Sequence, residues 1–163
     1  MFALTLQQPW ATLVALGINR IETRSWATAY RGHLLIHASR RLGIPNWSKK
    51  FQQYILKELG ARGYHSFADL PRGAIVGSVN LHGCLSTADV KDHPCLSSVE
   101  AYLGKFQSGN YAWILKNPRH WSKPIPAHGR TGLWRWTKRW RYQAPAGMPC
   151  VRCRHLISVT GEW

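Results

Sequence analysis

The chain has 163 residues, 45% hydrophobic and 18% charged, enough to bury one core and too apolar to stay disordered. Lys and Arg number 22 against 7 Asp and Glu, a net charge of +15 with histidine neutral, and self-repulsion on that scale is costly unless a polyanion offsets it. No apolar run approaches the roughly 18 residues of a membrane span, and Met1-Phe2-Ala3-Leu4-Thr5-Leu6 lacks the basic and long apolar regions of a secretory signal, so a cytoplasmic protein is expected.

Residues 2–6 alternate and predict a strand. Pro9 suits the first turn of a helix, with Gln7 or Gln8 near its cap. Trp10, Leu13 and Val14 recur at helical spacing, and Gly17 is a natural stop. Residues 20–26 and 33–38 read as strands joined by a turn at Tyr30-Arg31-Gly32. A longer helix is predicted over 46–59, capped by Asn46, with Phe51, Tyr54, Ile55 and Leu59 on its apolar side. Residues 73–81 predict a buried strand, 97–103 a short helix, and 111–115 a strand stopped by Asn117-Pro118. The last strand is predicted at 132–136. Strands outnumber helices without regular βαβ alternation, which predicts an α+β fold: a small, curved, mostly antiparallel sheet or barrel flanked by helices. One domain is expected over 1–136, followed by a basic, Trp/Arg-rich extension over 137–163.

The charge is uneven. Between Glu100 and Glu162 there is no acidic residue, while eleven Lys and Arg fall in that gap. RNA or another single-stranded nucleic acid is the partner that fits, because each neutralised phosphate releases counterions. The run Trp134-Arg135-Trp136-Thr137-Lys138-Arg139-Trp140-Arg141-Tyr142 alternates rings and cations. Extended, it puts Trp134, Trp136, Trp140 and Tyr142 on one face, the first two in the core, and Arg135, Arg139 and Arg141 on the other. Arg135, Lys138, Arg139 and Arg141 are the candidate contacts to a nucleic-acid backbone, with stacking beyond Trp136.

Residues two apart on a strand share a face, so Glu22, Arg24 and Trp26 are predicted to form one wall. A ring can stack on a base, an arginine can hold a phosphate or carbonyl, and a carboxylate can accept from an exocyclic amine. The competing reading of Glu22 and Arg24 is a structural ion pair. The helix start at Gln8-Pro9-Trp10 offers free N–H groups to an anion, with Trp10 either at that site or in the core. His33 and His37 would share a strand face, and a histidine pair can support acid–base chemistry at neutral pH; one buried and one surface histidine is the plainer reading. Cys150-Val151-Arg152-Cys153 is half a zinc site, completed only if Cys84, His93 and Cys95 approach it. No metal site and no cofactor are expected.

Several blocks together resemble the ASCH domain, a branch of the PUA-like fold. Its motif Gly-x-Lys-x-x-Glu-x-Arg is matched by Gly17, Glu22 and Arg24, and the preceding Gln8-Pro9-Trp10 is typical of the family. Arg31-Gly32, Leu34-Leu35-Ile36-His37-Ala38, Gly73-Ala74-Ile75-Val76-Gly77, Asn117-Pro118-Arg119 and Pro124-Ile125-Pro126 look like its later blocks. The resemblance implies a PUA-like barrel with a pocket between the first helix and the sheet, and a role linked to RNA. It also implies possible kinship with ribonucleases, with amidohydrolases of N4-acylated cytidines, and with YTH and EVE domains that recognise modified bases. The family's Lys falls at Asn19, which has no titratable nitrogen. The amidohydrolase branch has Thr at the position of Glu22, and its acidic partner falls where this chain has Ser78, Val79 and Asn80.

The lead expectation is a nucleic-acid-binding module that holds one base or nucleotide. Its candidate contacts are Gln8, Trp10, Asn19, Glu22, Arg24, Trp26, Arg31, Asn80 and Arg119. The alternative is a hydrolase acting on RNA without metal, or on N4-acylated cytidine, with Glu22 and His37 as catalytic candidates. A third reading is an adaptor whose Trp-rich tail docks a protein.

Overall fold

The computed structural model describes residues 1–43, 47–90 and 96–137. β1 (Phe2–Gln8) leads into α1 (Trp10–Ala15), β2 (Ile21–Arg24) and β3 (Gly32–Leu42). After α2 (Lys49–Gly60) and a 3-10 turn (Phe67–Asp69) come β4 (Ala74–Ser86), the short α3 (Thr87–Val90), α4 (Ser98–Leu103), β5 (Tyr111–Pro126) and β6 (Leu133–Arg135). The strands make one six-stranded sheet ordered β2-β5-β4-β3-β1-β6. All pairs are antiparallel except β1 with β3. The fold is α+β, as predicted. The sheet is open: among the described residues, no ladder joins its end strands β2 and β6. It is nevertheless strongly curled, because Thr5 of β1 and Arg24 of β2 border the same cavities although β3, β4 and β5 lie between those strands.

α1 has six residues, too few to persist alone, and exists because Ala11 to Ala15 are all buried. Leu4, Leu6, Ala11, Val14, Leu34, Ile36, Val79, Leu81 and Trp113 form the core between this helix and the sheet. Leu13, on another side of α1, packs with Trp47, Ile55, Leu59, Phe67 and Leu103. A third cluster joins Ala3, Leu35, Ile75 and Trp134, with Trp121 and Trp136 packed on it. The alternation predicted after Leu133 is therefore realised up to Trp136: both tryptophans pack, and Arg135 is exposed. Lys138, Arg139 and Arg141 lie outside the described residues, as do His93, Cys95, Cys150 and Cys153; Cys84 is a half-buried free thiol on β4.

Gly17 ends α1 as predicted, with φ +76. The chain doubles back there: the N–H groups of Ile18 and Asn19 both donate to Leu13 O, at 2.9 and 3.1 Å. A Cβ on Gly17 would stand 2.6 Å from Pro118 Cγ, so absent bulk as well as backbone freedom suits glycine here.

Several expectations are corrected. The second strand ends at Arg24, so Trp26 lies beyond it. α2 starts at Lys49, and its cap is Ser48, whose side chain accepts from the Phe51 N–H at 3.3 Å; Asn46 lies outside the described residues. Tyr54 is 43% exposed, whereas Ile55 and Leu59 are fully buried. β5 does not stop at Asn117-Pro118. Asn117 takes φ +52, and the register slips by one residue where Ser78 and Asn80 face Arg119 and Lys116. The Pro118 position, with no N–H to donate, is absorbed in that bulge.

α4 is fixed by one buried carboxylate. Glu100, 1% exposed, closes a capping box with Ser97 and accepts from the Arg20 backbone N–H at 3.1 Å and the Arg20 Nε at 3.0 Å. Burial pushes its carboxyl up, but the hydrogen bonds from Arg20 and Ser97 outweigh that and hold it below the usual range. Glu100→Ala strands the Arg20 and Ser97 N–H groups and is expected to cost about 2–3 kcal/mol by urea denaturation. Arg20→Ala is expected to cost less, because its side chain is 57% exposed and the carboxylate keeps its other donors. Equal losses would contradict this account.

Candidate functional site

Two adjoining clefts occupy the gap that the curled sheet leaves open. The first, about 390 Å3, is bordered by Thr5, Leu6 and Gln7 of β1, Trp10 of α1, Asn19, residues 21–24 of β2, Leu103 at the end of α4, and Gly104 and Lys105 after it. The second, about 480 Å3, is bordered by Thr5, Arg24, His37, Ser39, Arg40, Gly73 and residues 127–132. Thr5 and Arg24 are common to both.

Glu22 and Arg24 reach the first cleft from β2. Glu22 pairs in register with Trp113, a member of the central core, and so its carboxylate is carried into apolar surroundings. Arg24 Nη1 stands 3.5 Å from Glu22 Oε1, which fulfils the predicted shared face. Burial pushes the Glu22 carboxyl up to about 7, against the charge and hydrogen bond of Arg24. Near neutral pH this group is therefore present in both forms. It can accept as a carboxylate or donate as an acid.

Asn19 is 2% exposed, and its Oδ1 has no hydrogen-bond partner in the protein. Its backbone is fixed by the doubled-back end of α1, and the next residue is tied to Glu100. The result is a rigid, unpartnered carbonyl on a residue that borders the first cleft, its oxygen enclosed in the empty protein. Such a buried unpaired atom is uncommon and needs an explanation.

His37 borders the second cleft, 2% exposed. Its Nε2 lies 3.1 Å from Ala127 O, and its ring meets Trp134 edge-on at 5.8 Å. Burial lowers its pKa; the Ala127 carbonyl opposes that shift, and the charge of His128 adds to it. The neutral ring must donate from Nε2 to the carbonyl, which leaves Nδ1 as an acceptor, and Nδ1 has no partner. His33, by contrast, is exposed.

Of the predicted base-site residues, Trp10, Asn19, Glu22 and Arg24 meet at the first cleft. Trp10 is also held: its Nε1 donates to Leu103 O at 3.2 Å, and its ring packs on Trp47. Gln8 faces away. Fully buried, it accepts from the Thr12 N–H at 3.1 Å and donates to Thr12 Oγ1 and Pro71 O, so its amide is committed to holding α1. Gln7, one residue earlier, borders the cleft instead, as strand alternation requires. Trp26 borders neither cleft: it packs edge-on against Trp113 at 4.6 Å, though the Arg24 guanidinium lies over its ring at 6.0 Å, so the predicted neighbourhood of Arg24 and Trp26 is kept. Arg31 donates to the carbonyls of Thr28 and Tyr30 within its own turn. Asn80 and Arg119 sit mid-strand on β4 and β5, also outside both clefts. Arg135 stacks over Phe2, 5.6 Å from its ring centre.

Sequence reading missed Lys105, Arg40 and residues 127–132. The run Ala127-His128-Gly129-Arg130-Thr131-Gly132 carried a signal, since a glycine-rich basic segment with no acid nearby suits an anion. The position of Lys105 follows only from the way α4 docks on Arg20.

A profile of the ASCH domain matches residues 4–125. The chain is 29% identical over 147 residues to activating signal cointegrator 1 of Homo sapiens, and equally so to that of Mus musculus. These alignments cover 90% of this chain and 24% of the relatives, so the chain spans about a quarter of their length. Among solved structures, the ASCH protein of Zymomonas mobilis and a point variant of it align at 13% identity with a TM-score of 0.45, covering 77% of this chain and 72% and 74% of theirs. With the family profile spanning most of its length, the chain belongs to the ASCH domain family.

Proposed function

We propose that this chain is a nucleic-acid-binding module for RNA or another single strand, and that it holds one base in the first cleft. The observation that carries the reading is the meeting of Asn19, Glu22 and Arg24 beside Trp10 in a cavity of about 390 Å3, in a chain of net charge +15. Asn19 Oδ1 is a fixed acceptor for a base N–H. Glu22 is an acceptor or a donor according to its protonation, and Arg24 is a donor to a base carbonyl or a phosphate. Lys105 at the rim and the exposed arginines supply the sequence-independent attraction to phosphates.

One observation favours a second reading, metal-independent hydrolysis of RNA. His37 presents an unprotonated Nδ1, and Glu22 titrates near 7, at the walls of adjoining clefts. One group suits a general base and the other a general acid. Against it stands the burial of Nδ1. Incubation with labelled single-stranded RNA in chelator separates the readings: intact RNA is expected, and fragments that disappear with His37→Asn would establish the hydrolase.

Three arms titrated at two salt concentrations (single-stranded RNA, single-stranded DNA and duplex) test the binding reading. Single strands are expected to bind with affinity that falls steeply as salt rises. Arg24→Ala and Glu22→Gln are each expected to weaken binding about tenfold, the loss of one good base contact, with unchanged circular dichroism. Full affinity in both variants would remove the first cleft from the reading.

Glu22 also makes a stability prediction. Between 4.5, the ordinary value, and about 7, the folded chain keeps a proton that the unfolded chain releases. The Glu22 contribution to stability therefore falls as pH rises through that window and is level above it. Urea midpoints at pH 5 and pH 7.5 are expected to show this fall in the parent relative to Glu22→Gln. Parallel curves for the two proteins would show that Glu22 ionises normally.

A further inference from the structure

The second cleft is a built cavity that the reading above does not use. Its cations come from three places in the chain: Arg24 on β2, Arg40 on β3, and Arg130 in the segment between β5 and β6. Among the described residues, no carboxylate borders it. Arg40 is placed by a glycine: Gly73 has φ +64, and a Cβ there would stand 3.2 Å from Arg40 Cγ, so the arginine stem lies across the bare backbone. The wall opposite is anchored at one end, where the Ala127 N–H donates to Gly73 O at 3.0 Å and Ala127 O accepts from His37. Beyond that anchor, among the described residues, the backbone N–H groups of His128, Gly129, Arg130 and Thr131 have no partner in the protein. Gly129 sits tight against the rim, since a Cβ there would fall 2.8 Å from Thr5 Oγ1 and against the His37 ring. Unpaired amides on a glycine-containing segment, with guanidinium groups converging on them, are the ingredients of an oxyanion site.

We propose that the second cleft is the phosphate subsite of a nucleotide whose base occupies the first cleft, its sugar crossing at Thr5 and Arg24. The inference rests on the base site proposed above and assigns the phosphate next to that base to a second, separate cleft. Arg24 serves both halves. One of its nitrogens is spent on Glu22, and the fork of remaining donors is free to turn to the phosphate. Arg40 and Arg130, exposed at the mouth, complete a clamp, and the amides of residues 128–131 supply neutral donors.

Calorimetric titration of the full chain with the four ribonucleosides and with their 5′- and 3′-monophosphates tests this. For whichever nucleoside binds, one of its monophosphates is expected to bind about tenfold more tightly, as charge-assisted contacts are added. The double variant Arg40→Ala with Arg130→Ala changes only exposed side chains and is expected to erase that advantage, with nucleoside affinity kept within about twofold. Equal affinity for a nucleoside and both its monophosphates would overturn the phosphate subsite and leave the base site standing. A phosphate advantage that survives in the double variant would overturn it in the same way. Binding of none of these ligands would overturn the base site, and the phosphate subsite with it.

Discussion

A sheet that curls without closing leaves a gap that strands do not cover, and this molecule is organised around that gap. β2 stands at one end of the sheet order and β1 beside the other end, yet Thr5 and Arg24 from these strands border the same cavities. Unpaired strand edges are a liability unless something shields them. Here the shielding is done by non-strand segments: the doubled-back chain after α1, the residues after α4, and the run from Ala127 to Gly132. Two of these pieces are tied at single points, the Lys105 N–H to Thr23 Oγ1 and the Ala127 N–H to Gly73 O, and cavities persist beside them. Polar side chains on the bordering strands can then be buried without being fully bonded.

The scarcity of acid in the chain makes the placement of each carboxylate informative. Of the five Asp and Glu among the described residues, Glu22 and Glu100 are buried, and each has an arginine partner. The two pairs behave oppositely. Glu100 receives hydrogen bonds from the Arg20 and Ser97 backbones as well as a guanidinium, and it is held in its charged form. Glu22 has a single contact of 3.5 Å to an arginine, and burial wins. The first arrangement is that of a structural tie, saturated with donors. The second leaves an under-bonded group at a cavity wall, which is where perturbed titration more often accompanies function.

Much of the fold was legible because its signals are local. The alternation of residues 2–6, the apolar run of β3, the Gly17 stop and the short helix over 97–103 each depend on a few neighbouring residues. The continuation of β5 was not legible, because Asn117-Pro118 reads as a strand end unless the facing strand supplies a bulge. In the site, the Glu22–Arg24 face followed from strand alternation. Gln8 and Trp26 were misplaced for a related reason: a one-residue uncertainty in where a strand turns or ends reverses or removes a side chain's direction. Lys105, Arg40 and the 127–132 segment come into the site only through the docking of α4 and the curl of the sheet. Long-range packing of that kind leaves no spacing rule in the sequence.

Asn19 and Glu22 are best understood together. Asn19 and the Glu22–Arg24 pair border one cleft, and both Asn19 and Glu22 are buried there with polar atoms left under-bonded. Burial pushes the Glu22 carboxyl up to about 7, and the Asn19 carbonyl is left without a partner. Both features cost stability in the empty protein, since an unpaired buried acceptor and an under-compensated acid are each unfavourable. Both costs are relieved by a ligand that brings a donor to Asn19 Oδ1 and a second polar group to Glu22. A nucleobase edge would carry such groups a few ångströms apart in one rigid plane, a match to an acceptor at Asn19 and an acceptor or donor at Glu22 on which the proposed base binding draws.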